Sequence, residues 1–186
     1  MIYITFPVLY AAITGIWLLV RVICWLRKKA IHWKRELQLM LVYISIVVVA
    51  RFTCFPFEMV DGKLQPLVLD TANIFSFRIN LVPFVSLFDY PEFRSALLNL
   101  IGNTTMFIPI GVIWPIVYQK LDSPAKVITA GIGFSLCIEL LQLPFYDRVT
   151  DIDDLILNSI GYLIGYGLYA LVKTITKWIQ KKNSLR

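Results

Sequence analysis

Five apolar stretches, each long enough to cross a membrane, constrain the fold of this chain more than any other feature. They lie at residues 3–26, 37–55, 96–118, 127–145 and 152–172. A membrane-spanning helix needs about 20 mostly apolar residues, because each residue adds about 1.5 Å along the helix axis. Charged residues make up only 16% of the chain, whereas soluble domains have about 25%. The sequence therefore predicts an all-α, polytopic membrane bundle of about five transmembrane helices, in a single domain over residues 1–186.

A sixth apolar region, residues 73–93, is interrupted by polar residues and rich in aromatic ones. The interruptions are Arg78, Asn80, Pro83 and Asp89, and the aromatic residues are Phe75, Phe77, Phe84, Phe88, Tyr90 and Phe93. Aromatic rings favour the headgroup layer of a bilayer. We therefore expect this region to be interfacial or re-entrant.

The distribution of charge between the loops predicts the orientation of the chain. The loop at 27–36, the loop at 119–126 and the C-terminal tail together hold 12 of the 18 basic residues and only two acids. The segments on the other side hold four basic residues and nine acids. Cytoplasmic loops are the ones enriched in Lys and Arg. The N-terminus is therefore expected outside and the C-terminus in the cytoplasm, and the net charge of +6 needs no nucleic-acid partner to explain it.

Cofactor and metal chemistry have little support in the sequence. Three cysteines are too few for a disulfide framework, and no C-x-x-C pair is present. His32 is the only histidine and lies in a basic loop. No His/Cys cluster with zinc-ligand spacing occurs, so we expect neither a cofactor nor a dedicated metal site.

Each of the last three apolar stretches carries polar residues spaced to lie on one helix face. The three sets are Asn99 with Asn103, Glu139 with Gln142, and Asp151 with Asp154 and Asn158. With the predicted orientation, Asn103, Glu139 and Asn158 each lie about 9–10 Å below the outer surface. We therefore predict a shared polar pocket in the outer leaflet, open to the outside.

The same polar residues have a structural interpretation. Asn, Gln and a Glu–Arg pair can simply join helices in lipid, where such contacts contribute about 0.6–2 kcal/mol. Glu139 fits this interpretation least, because a charged carboxylate within a span costs about 2.5 kcal/mol or more. Glu139 therefore needs Arg148 or a ligand cation nearby, or it must stay protonated. Gly161 and Gly165 form a small-x-x-x-small pair and are interpreted as helix packing.

Four segments occur in an order and spacing that are characteristic when taken together. They are N-L-V-P-F at 80–84, N-L-I-G-N-T-T-M-F-I-P-I-G at 99–111, G-F-S-L-C-I-E-L-L-Q at 133–142 and R-V-T-D-I-D-D-L-I-L-N-S-I-G-Y-L-I-G at 148–165. In these segments, which span roughly half of the chain, the sequence resembles the VanZ-like family of relatives of a teicoplanin-resistance protein. The two N-terminal spans carry less of the resemblance.

The resemblance implies a multi-pass protein of a bacterial cell membrane linked to lower sensitivity to teicoplanin and related lipoglycopeptides. Matched by position, it gives the family's polar set as Asn80, Asn103, Glu139, Gln142, Arg148, Asp151, Asp154 and Asn158. We add Asn99 to this set because it lies on the same predicted helix face as Asn103. These nine residues are the predicted ligand-binding residues.

Two functions are compatible with these residues. In the first, the outer pocket binds a membrane lipid, a lipid-linked cell-wall precursor or the lipoglycopeptide, and lowers antibiotic binding at the cell surface. In the second, the protein is an enzyme acting on a lipid-linked headgroup, with Glu139 and Asp151 or Asp154 as acid, base or divalent-metal ligands and Arg148 holding phosphate. The second lacks a nucleophile paired with a base. A transporter is less favoured, because no internal repeat is present.

Overall fold

The computed structural model describes residues 1–55, 59–71, 78–84, 93–121, 123–146 and 148–184. Within these residues the chain forms five long helices and four short strands. In chain order they are β1 (Ile2–Ile4), α1 (Phe6–Lys28), α2 (Trp33–Cys54), β2 (Leu67–Leu69), β3 (Ile79–Asn80), α3 (Phe93–Val117), α4 (Pro124–Gln142), β4 (Thr150–Asp151) and α5 (Ile152–Ser184). All five of these helices are long and apolar enough to cross a membrane. The predicted all-α membrane bundle is thus confirmed.

The observed helices differ from the predicted spans at several ends, and two of these differences have a clear physical reason. The first span was predicted from residue 3, but Ile2–Ile4 form a strand that pairs antiparallel with β2. Helix α1 starts at Phe6 instead, with Pro7 in its first turn, where proline is well tolerated. At the other end, α5 continues beyond residue 172 to Ser184. No glycine or proline lies between 168 and 184 to end it.

Only part of the predicted interfacial region lies within the described residues. Of residues 73–93, those at 78–84 and residue 93 are described, and the other aromatic positions lie outside. Ile79 and Asn80 pair in parallel with Thr150 and Asp151. This short pairing joins the segment to the start of α5. An interfacial or re-entrant location for the rest stays a prediction.

Helices α3 and α5 form the closest packing of the bundle, and glycines make it possible. A Cβ atom added at Gly161 would lie 1.9 Å from the Thr104 carbonyl oxygen, and one at Gly165 would lie 2.1 Å from that of Ile108. These distances leave no room for a side chain. The small-x-x-x-small pair therefore packs helices, as predicted.

The core lies between α2, α3, α4 and α5. Phe107, Ile110, Val127 and Tyr162 are almost fully buried there, with Val49 contributed by α2. By contrast, α1 has no buried residue. Large apolar side chains are exposed along the outer helix faces, as expected where lipid rather than water surrounds the protein.

Candidate functional site

The predicted polar residues meet around the first turn of α5. Asp151 caps this helix, because its Oδ1 accepts the backbone N–H of Asp153 at 2.9 Å. Asn80 Nδ2 lies 3.2 Å from each Asp151 carboxylate oxygen. The backbone N–H of Asp151 donates to Glu139 Oε2 at 3.2 Å. One residue thus connects β3, α4 and α5.

The segment 78–84 is fixed to this cap by further hydrogen bonds. The Thr150 N–H donates to the Arg78 carbonyl at 2.9 Å. The Phe84 N–H donates to Asp153 Oδ1 at 2.7 Å, and the Val82 N–H donates to Asn80 Oδ1 at 3.1 Å in a local Asx turn. These bonds hold the motif that begins at Asn80 against the acidic end of α5.

Helix α3 contributes its asparagine pair on the adjoining side. Asn103 Nδ2 donates to Asn99 Oδ1 at 3.1 Å and to Asp154 Oδ1 at 2.5 Å. Asn103 is buried, whereas Asn99 and Asp154 are half-buried. The asparagine face predicted from the spacing therefore contacts α5.

One turn deeper, a second polar contact joins α4 to α5. Asn158 Nδ2 donates to Ser135 Oγ at 3.0 Å, and both residues are almost fully buried. Among the described residues, neither Asn158 Oδ1 nor the hydroxyl of Tyr162, four residues further along the same helix, has a hydrogen-bond partner. Buried polar atoms without partners are destabilising, so this level of the bundle retains unused hydrogen-bonding capacity.

The upper level of the network is strongly acidic. Asp154 interacts electrostatically with Asp151, Asp153 and Arg148, and Glu139 interacts with Asp154 and Asp151. Carboxylates this close together repel one another, and the repulsion is stronger in a low-dielectric interior. The cluster therefore favours a cationic group beside it, and Arg148 supplies one such charge.

Gln142 and Arg148 reach a different helix. Gln142 Nε2 donates to the Thr53 carbonyl at 2.7 Å, and Arg148 Nη2 donates to the Cys54 carbonyl at 2.5 Å. These carbonyls belong to the last turn of α2, where backbone oxygens lack partners within the helix. Both side chains thus fasten the end of α2 to the site, and their role in ligand binding stays a prediction.

The observed network is more closed than the predicted open pocket. Asn103, Glu139 and Asn158 are 6%, 2% and 1% exposed. Asn103 pairs with Asp154 rather than with Asn158, and Asn158 lies lower with Ser135. The rim is formed by half-buried side chains, namely those of Asn80, Asn99, Arg148, Asp151 and Asp154.

Sequence reasoning missed two members of the network. Asp153 is not among the nine predicted site residues, yet it is only 3% exposed and its Oδ2 has no partner among the described residues. Ser135 was not singled out at all. Its spacing of four from Glu139 on the same helix face was the available signal.

An apolar cavity of about 300 Å³ lies beside the network, between α1, α2 and α4. Its lining is apolar except at Thr53, and Leu9, Phe134 and Phe145 contribute to it. Thr53 and Cys54, whose carbonyls accept from Gln142 and Arg148, also line it. The polar network and the apolar cavity therefore share the end of α2.

Among the described residues, no group of three or more His, Cys, Asp or Glu side chains is arranged to hold a metal ion.

Membrane-length helices that enclose a buried polar network define the chain as a multi-pass membrane protein. Within that class, the model of the VanZ/LLP1 family matches residues 40–173, and the chain belongs to this family. The match contains all nine predicted site residues and excludes α1.

Protein VanZ of Enterococcus faecium is 30% identical over 109 residues, which is 59% of this chain and 63% of that protein. The chain therefore spans less than two thirds of that relative. No solved structure matches.

Proposed function

We propose that this protein lowers the sensitivity of a bacterial cell to teicoplanin and related lipoglycopeptides. In this proposal it binds a lipid or a lipid-linked cell-wall component in the outer half of the membrane and so reduces antibiotic binding at the cell surface. Family membership supports the general role. The observation that carries the binding mechanism is the apolar cavity that adjoins the polar network at Thr53 and Cys54.

The polar end of the ligand would contact the half-buried rim. Amide side chains of Asn80 and Asn99 suit sugar and peptide groups, because each offers both a donor and an acceptor. Arg148 suits a phosphate oxygen. Asp151 and Asp154 suit a cationic group. Buried Glu139 and Asn103 hold these rim residues in place through the contacts described above.

The apolar end of the ligand would enter the cavity between α1, α2 and α4. A volume of about 300 Å³ is at the lower end of the range for ligand pockets. An acyl chain is favoured because burying each CH₂ group contributes about 0.8 kcal/mol. Both ends then lie near the outer surface if the N-terminus is outside, as the loop charges predict.

The test compares matched variants in a glycopeptide-sensitive Gram-positive strain. Glu139→Gln and Asp154→Asn replace a carboxyl group with an amide at nearly constant shape, and Arg148→Lys keeps the charge but changes its geometry. Lys177→Gln, on the exposed end of α5, is the control. Labelled teicoplanin bound per cell is measured together with membrane insertion and the profile of lipids and cell-wall precursors.

The wild type and Lys177→Gln are expected to reduce teicoplanin binding while the lipid and precursor profile stays constant. Glu139→Gln and Asp154→Asn should insert normally and restore antibiotic binding. A new lipid or precursor species that disappears in these two variants would instead support the enzyme on a lipid-linked headgroup. If both variants lower teicoplanin binding as well as the wild type does, the polar network serves only to pack helices.

A further inference from the structure

A second cavity, of about 300 Å³, lies at the other end of the α1–α2 pair, next to the basic loop that joins them. Arg21, Lys28 and Arg35 line it together with Glu36. Most of its lining comes from residues 17–39, before the family match begins at residue 40. It is therefore separate from the polar network and independent of the proposed function.

The cavity has a net positive charge, although one of its cations is paired with an acid. Arg21 Nε donates to Glu36 Oε2 at 2.8 Å, its Nη2 contacts Glu36 Oε1, and both side chains are 14% exposed. Among the described residues that line the cavity, Glu36 is the only acid. Since Arg21 neutralises it, Lys28 and Arg35 supply a net positive charge.

Arg35 is held where its guanidinium can meet an anion. Its Nη1 donates to the Val117 carbonyl, and its Cζ lies 5.7 Å from the centre of the Tyr118 ring. A guanidinium has five N–H donors, so these contacts leave capacity for a phosphate. Arg35 and Tyr118 also line an adjoining cavity of about 440 Å³ that reaches Lys120. The positive surface thus continues from one cavity into the next.

The remaining walls are apolar and aromatic. Trp17, Trp25, Val20 and Leu39 line the cavity beside its cations. Tryptophan is enriched where a bilayer meets water. An anion with an apolar body can pair with the cations and also pack against the apolar walls. A free inorganic anion can only pair with the cations.

We propose that this cavity binds an anionic phospholipid. The phosphate group lies between Lys28 and Arg35, and the acyl chains run along α1 and α2 past Trp17 and Leu39. Basic pockets between transmembrane helices on the cytoplasmic side of a membrane bind anionic lipid head groups by this chemistry.

The test uses the full chain purified in a nonionic detergent. Native mass spectrometry titrates phosphatidylglycerol and phosphatidylcholine with identical acyl chains, and thermal unfolding is followed in parallel. The variant Lys28→Gln/Arg35→Gln removes the two cations. The control Lys177→Gln/Lys181→Gln removes two exposed lysines of α5 away from the cavity.

Wild type and control should prefer phosphatidylglycerol, and the cavity variant should bind it about 30-fold more weakly, because each basic residue near an anionic lipid contributes roughly fivefold. Binding of phosphatidylcholine should not change. If Arg35→Gln prevents folding, Lys28→Gln alone should still weaken binding about fivefold.

Three results would overturn the proposal. The first is equal binding of the two lipids by the wild type. The second is an equal loss in the α5 control, which means non-specific attraction. The third is stabilisation by inorganic phosphate as large as that by phosphatidylglycerol, which means a soluble-anion site.

Discussion

Asn103 joins α3 to α5 through one amide group, which donates to both Asn99 and Asp154. Asn103→Asp removes this donor and places a second carboxylate against Asp154, so we expect the free energy of unfolding to fall by on the order of 3 kcal/mol. The double variant Asn103→Asp/Asp154→Asn exchanges donor and acceptor and should recover most of the loss. Unfolding in lipid bicelles measures both variants. A double variant as unstable as Asn103→Asp would contradict the pairing.

The buried Asn158–Ser135 contact should also contribute to stability. Ser135→Ala removes the acceptor of Asn158 Nδ2, and we expect a loss of about 1 kcal/mol. Ser159→Ala is the matched control, because its hydroxyl bonds only the Leu155 carbonyl of its own helix among the contacts described. The same bicelle measurement applies. Equal stability of the two variants would show that the contact between α4 and α5 contributes nothing.

At the scale of helices, glycines set the distance between α3 and α5. Gly161→Ala and Gly165→Ala place a Cβ about 2 Å from a carbonyl oxygen of α3, so each should destabilise the protein by about 1–3 kcal/mol. Gly167→Ala is the control, since nothing lies within 4 Å of its added Cβ. There alanine should be neutral or stabilising by up to about 1 kcal/mol. Thermal unfolding ranks the three variants, and equal effects would contradict the close packing.

The helices themselves follow from local sequence, whereas the strand pairing β3–β4 does not. Every backbone polar group in lipid needs a hydrogen-bond partner, and a continuous stretch of twenty apolar residues meets this need within itself as a helix. Ile79 and Asn80 pair with Thr150 and Asp151, about 70 positions away. No periodicity records such a distant contact.

The loop charges predict how the whole protein is oriented in the membrane, and cysteine labelling tests this prediction. In a cysteine-free background, Lys63→Cys should react with a membrane-impermeant maleimide on intact cells. Lys120→Cys and Lys181→Cys should react only after permeabilisation. All three lysines are exposed, so access to the side chain does not limit the reaction. Labelling of Lys120→Cys on intact cells would reverse the orientation and move the polar network to the inner leaflet.

The sequence by itself determined the membrane bundle and the helix faces that carry polar residues. Both depend on composition and on the 3.6-residue period, which are local properties. The motifs likewise indicated the family, because their order and spacing can be read directly from the sequence. Asn103 and Glu139 were found in this way, and both are part of the network.

The partners of those polar residues were decided only by the tertiary structure. Glu139 and Gln142 share a helix face, yet one meets the cap of α5 and the other the end of α2. Asp153 became a buried member of the network because segment 78–84 folds onto it. Helical spacing shows which way a side chain points, but what it meets depends on how distant segments pack, and a single sequence does not record that.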